Sequence, residues 1–138
     1  PKGDAVIGTT KELEDLAGNY SDAAVAIGNP GVRLAMIRRI QRETNLNIPA
    51  LVSPKAYVAP SAALGAGVVI EPMAVVHAKC RIETGCLLSA GAVVNHEGVC
   101  REGAHIDCNA TVPGYCVVPE KTKVDCGMVY CPAAGTLK

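Results

Sequence analysis

Two of the three histidines of this chain stand nine residues apart. His96 sits in the triplet Asn95-His96-Glu97, and His105 follows Gly103-Ala104. An imidazole titrates near neutral pH and can take a proton from an attacking amine or hydroxyl. The triplet is therefore either a catalytic base with a helper or an ordinary solvated turn. The third histidine, His77, follows Val76 without such neighbours and reads as a surface or interface residue. Seven cysteines are an odd number with no CxxC pair, which argues against a disulfide framework and against a zinc knuckle. No metal ligation is expected of them. Most read as small buried hydrophobes.

The elements that must position these residues differ between the two halves of the chain. The 138 residues carry no net charge and no basic stretch beyond Arg38-Arg39, so the electrostatic footprint of a nucleic-acid binder is missing. No run of 18 apolar residues exists, no membrane span is expected, and cytoplasm is the default location. Phe and Trp are absent although half the residues are apolar, which points to a narrow, regular interior filled by medium and small side chains.

Residues 1–50 read as a small α/β domain of βαβαβ type. The expected strands are 5–8, 23–27 and 49–52. Thr9 and Glu12 form a capping box for a helix over 11–17 that ends at Gly18. Asn29 caps a second helix with Pro30 at its first position. Val32, Leu34, Ile37 and Ile40 are its expected apolar side, and Arg33, Arg38, Arg39 and Arg42 its charged remainder.

Residues 51–132 follow another rule. Counting in sixes from Val52 to Tyr130 gives fourteen positions, of which twelve are Val, Leu or Ile. Two places before each lies a mostly small residue, among them Ala74, Cys80, Cys86, Ala92, Ala104 and Cys116. Neither helical spacing nor strand alternation keeps that phase, whereas a hexapeptide solenoid does. Three six-residue units make one triangular coil, so about four and a half coils are expected, with residues 133–138 as a tail. One inward aliphatic per six residues does little against the entropy of ordering them, so an oligomer is expected.

The register places the histidines. His96 lies two places after inward Val94 and falls at an outward corner with Glu97. His105 precedes inward Ile106 and faces out. Nine residues are half a coil, so the two lie on opposite sides of one solenoid and meet only if one subunit's His96 faces another's His105.

The ladder, the residues Ala26-Ile27-Gly28-Asn29 and Ser53-Pro54-Lys55-Ala56, and the segments from Gly91 to Glu97 and from Gly103 to Ile106 together resemble one family. It is that of the hexapeptide-repeat sugar acyltransferases, in the branch of the bacterial nucleotide-amino-sugar N-acetyltransferases and sialic acid O-acetyltransferases. The resemblance implies a left-handed parallel β-helix, a homotrimer and acetyl-CoA as acyl donor to an amine or hydroxyl of a nucleotide-linked sugar. It implies His96 as general base and Glu97 as the group that raises its basicity. His105, Gly114 and Cys126 would contact acetyl-CoA, and Gly28, Asn29 and Asn95 the sugar substrate.

The chain departs from that family in lacking its opening glycine-rich turn and in a ladder that stops near Tyr130. A longer enzyme, a naturally short one and a trimeric scaffold without catalysis are therefore all open readings. So is a metalloenzyme of the carbonic-anhydrase kind, since His77 and His96 lie one residue off a full coil.

Overall fold

The computed structural model describes residues 5–132, and the expected tail at 133–138 lies outside the described residues. Its body is a parallel β-solenoid of about four turns, made of thirteen two-residue strands in three sheets. The first face stacks β1 (Leu51–Val52), β4 (Val69–Ile70), β7 (Leu87–Leu88), β10 (His105–Ile106) and β13 (Lys123–Val124). The second stacks β2 (Tyr57–Val58), β5 (Val75–Val76), β8 (Val93–Val94) and β11 (Thr111–Val112). The third stacks β3 (Ala63–Leu64), β6 (Arg81–Ile82), β9 (Val99–Cys100) and β12 (Val117–Val118).

Every pairing joins residue i to residue i + 18, as Leu51 to Val69 and His105 to Lys123. The second residue of each strand is the expected inward aliphatic. From Ile70 to Val124 this series is buried, and the small series is buried from Val68 to Cys116. Val52, in the first coil, has a stacked neighbour on one side only and stays 42% exposed. The Cys80 and Cys86 thiols donate to the carbonyls of Asn95 (3.0 Å) and Arg101 (3.1 Å). Burial pushes the Cys86 thiol up to about 12, so it is inert as a nucleophile.

A third series of period six governs the corners. From residue 67 to residue 127, the third residue after each inward one has φ near +60°: Gly67, Met73, Lys79, Gly85, Gly91 and Glu97 begin it, and Gly127 ends it. One corner, between the third and first faces, carries Gly67, Gly85 and Gly103, and α2 (Pro30–Glu43) lies against it. A Cβ on Gly67 would meet Ile37 Cδ1 at 2.8 Å, one on Gly85 the same atom at 2.9 Å, and one on Gly103 Leu34 Cδ2 at 3.4 Å. The seven helical steps from Pro30 to Ile37 advance about 10.5 Å, and two coil steps span about 9.6 Å. The match lets one helix serve three coils.

The N-terminal segment differs from the expected βαβαβ unit. Its helices form where the caps place them. A 3₁₀ turn (Thr10–Glu12) leads into α1 (Leu13–Ala17), with the Glu12 carboxylate accepting the Thr9 N–H at 2.8 Å. Asn29 Oδ1 accepts from Val32 N at 3.0 Å. No sheet forms, however, among the described residues before Leu51; a single isolated bridge joins Asp22 to Asn47. The reason is competition for partners. Leu51 N and Ser53 N donate to Val68 O and Ile70 O, so the solenoid takes the would-be third strand as its first rung. Val6 is left 92% exposed, while Val25 packs with Ile37, Ile40 and Ile48.

The helix also turns a different side inward. Val32 is exposed, and Arg33 is buried beside Leu34, Ile37 and Ile40. Its guanidinium donates from Nε to Gly85 O (2.7 Å) and from Nη2 to Gly103 O (3.0 Å). Nη1 donates to Ile27 O (2.8 Å) and Gly28 O (2.7 Å). One side chain thereby ties residues 27–28 to two successive coils.

Candidate active site

His96 and Glu97 form the turn between β8 and β9, at the corner of the second and third faces. The turn is closed by Gly98 N donating to Asn95 O at 3.0 Å and by Glu97 N donating to Ala78 O at 2.9 Å in the coil before. His96 is exposed. Its ring lies over Gly114, one coil onward, where a Cβ would stand 2.9 Å from Nε2. Tyr115 closes the other side, its ring edge-to-face with the imidazole at a centroid distance of 5.0 Å. Glu97 has φ +57°, and its carboxylate lies 3.9 Å from Lys79 Nζ; among the described residues it makes no hydrogen bond to His96. His77 pairs in register with Asn95, not with His96, since the ladder step is 18 residues.

His105 begins β10 on the first face, which lies opposite the His96 corner. Its Nε2 shares a 3.0 Å hydrogen bond with the buried Ser89 hydroxyl. Asp107 Oδ1 stands 3.8 Å away and is held by Lys123 at 2.8 Å from its other oxygen. Burial pushes the His105 imidazole below its ordinary value, although Asp107 pulls it up. Neutral His105 therefore presents a donor and an acceptor near pH 7. Cys126 is exposed at the corner that follows β13, on the side of His105 rather than of His96.

A cleft of about 320 Å³ opens between residues 24–28 and the first face. Leu51, Val69 and Leu87, successive rungs of the column that continues to His105, form its apolar floor, with Arg33 and Glu71 at its edges. Gly28 lines this cleft. Asn29 is occupied as the cap of α2. The single chain thus holds two separate groups: His96, Glu97, Asn95 and Gly114 at one corner, and His105 on the opposite face.

Arg33 and Tyr115 were not expected at these places. Nothing in the helical pattern marked Arg33 as the inward arginine. Tyr115 carried a signal of position, because 115 is 18 after 97 and shares its corner.

No protein-family model matches the chain, and no curated protein is significantly similar to it in sequence. Solved structures do match. The acetyltransferase domain of PglB from Neisseria gonorrhoeae FA1090 is 31% identical with a TM-score of 0.88, over 93% of this chain and 62% of that one. The chain shares its solenoid fold with that acetyltransferase domain. The same domain in complex with acetyl coenzyme A gives 30% identity and a TM-score of 0.88, over 94% and 62%. A mutant perosamine N-acetyltransferase from Caulobacter crescentus, in complex with CoA and GDP-perosamine, shares the fold at 23% identity and TM-score 0.71, over 91% and 69%. The chain spans a little under two thirds of the PglB domain chains it matches. Among its described residues no helix is long and apolar enough to cross a membrane.

Proposed function

We propose that this chain transfers an acetyl group from acetyl-CoA to an amine or hydroxyl of a nucleotide-linked sugar, with His96 as general base. The observation that carries the proposal is an exposed imidazole seated over a bare glycine backbone, in a solenoid 31% identical to an acetyltransferase domain. The neutral imidazole takes the proton of the acceptor group as its nitrogen or oxygen attacks the thioester carbonyl. The C–S bond then breaks, and the coenzyme A thiolate leaves and recovers that proton from the imidazolium. No acyl-enzyme is required. Glu97 supports the imidazolium through the field of its carboxylate.

On this reading the coil is left-handed and three copies associate, so that His105 of one copy faces His96 of the next. His105, Gly114 and Cys126 serve the acetyl-CoA side. Gly28, Asn29 and Asn95 serve the sugar side, with the cleft beside residues 24–28 receiving the acceptor.

The test is thiol release from acetyl-CoA with a panel of amino-sugar nucleotides, comparing the parent with His96→Ala. Loss of the base is expected to lower kcat by about 10²–10⁴-fold. Equal turnover by the two proteins removes His96 from the chemistry. Neither turnover nor acetyl-CoA binding in the parent would favour the non-catalytic scaffold.

A further inference from the structure

Among the described residues, the corner that carries His96 is the one where left-handed backbone is occupied only by residues with side chains: Lys79 at φ +60°, Glu97 at +57° and Tyr115 at +62°. The corner facing α2 uses glycine three times over the same coils. A bulky side chain in this region carries a backbone penalty that glycine avoids. Burial does not hold Tyr115, which is half-exposed. The contact it does make is with the imidazole of His96, at a centroid distance of 5.0 Å and an interplanar angle of 87°. That is the geometry aromatic rings prefer. Its amide also donates to His96 O at 3.1 Å, so the turn that presents the ring is anchored to the residue the ring touches. Gly114 supplies the space on the other side, since a Cβ there would stand 2.9 Å from Nε2 and 3.0 Å from Cε1.

We infer that Tyr115 is a positioning residue for His96: it holds the imidazole over the Gly114 backbone, at the cost of an unfavourable φ. The inference rests on the reading of His96 as the base, and it makes a prediction that a purely structural role does not. Tyr115→Gly relieves the backbone and removes the ring. Tyr115→Phe keeps both the φ and the ring.

In the full chain, Tyr115→Gly is expected to melt a few degrees higher than the parent. At the same time its kcat falls about tenfold, well short of base removal, with KM for acetyl-CoA within about twofold. Tyr115→Phe recovers most of the parental kcat. Imidazole resonances of His96, assigned against His96→Asn, should move in Tyr115→Gly through loss of the ring current and stay in place in Tyr115→Phe. Parental kcat in Tyr115→Gly overturns the inference, and so does a lower melting temperature, which would make Tyr115 a stability residue. If the parent shows no acetyl transfer, the functional reading fails by itself. The His96 resonance then decides the contact alone: displaced in Tyr115→Gly it supports the seat, and unmoved it refutes it.

Discussion

Replacing Arg33 by Met tests whether one side chain locks the helical segment to the solenoid. Four of its five N–H groups are used, at 2.7, 2.8, 2.7 and 3.0 Å, and the residue is 1% exposed. Hydrogen bonds to charged groups contribute about 1.5–3 kcal/mol each. Their gross sum overstates the effect, because burying the guanidinium itself costs several kcal/mol. The loss on substitution is better set by what is left behind. The bonds to Gly85 O and Gly103 O are buried, and an abandoned buried carbonyl costs about 1–3 kcal/mol. Ile27 O and Gly28 O are part-buried and can recruit water.

Arg33→Met should therefore cost about 4 kcal/mol. Arg33→Lys should recover little of it, since an ammonium on a shorter reach cannot serve carbonyls on two coils and a loop together. The assay is urea unfolding followed by circular dichroism at matched chain concentration, because assembly would couple to the midpoint. A loss below about 1 kcal/mol with an unchanged urea slope would show that the helix docks through its apolar contacts alone, and the lock would be refuted.

Two further predictions use the same structure. Gly67→Ala and Gly127→Ala share a left-handed φ, +63° and +70°, but only the first meets a neighbour, Ile37 Cδ1 at 2.8 Å. The first should cost about 2–4 kcal/mol and the second about 1 kcal/mol; equal losses in urea would contradict the packing of α2 on that corner. Burial lowers the His105 pKa, so the unfolded chain holds that proton more tightly than the folded one. His105's contribution to stability is whole above pH 6.5, the unfolded value, and is lost as pH falls below it. The urea midpoint should drop between pH 7.5 and 5.5, and less so in His105→Gln; parallel profiles for the two proteins would show that His105 does not carry the drop.

How much of this was legible in the residues depends on how local the cause is. The strand register was readable because each coil repeats one steric problem, an inward aliphatic with a small residue two places before it. Both helix starts were readable because Thr9, Glu12 and Asn29 satisfy backbone groups only a few residues away. The opposed placement of His96 and His105 followed from half of an 18-residue step. The N-terminal sheet was misread because its third strand suits either partner, and the choice was made by the rung at Val69. Arg33 was misread for a related reason: a helical wheel sees only the helix, while the four carbonyls that draw the guanidinium inward come from residues 27–28 and from two later coils. Tyr115 was overlooked because a repeat of hydrophobicity does not display the repeat of backbone conformation that gives the residue its meaning.

That conformational repeat explains how one coil supports two different edges. Each turn in the series from residue 67 to residue 127 must place a residue at φ near +60°, and glycine is the cheapest way to do so. Where α2 lies against the corner, glycine is favoured for a second reason, since Ile37 Cδ1 stands 2.8 and 2.9 Å from where a Cβ on Gly67 and on Gly85 would lie. Position 121 follows Gly103 by one coil, and there the column ends in Lys121 with φ +56°. Pro30 begins the helix at the level of Gly103, so nothing further excludes a side chain. Among the described residues no helix lies against the corner of His96, and it accepts the backbone penalty at Lys79, Glu97 and Tyr115 in turn. Glycine at these three positions would remove that penalty.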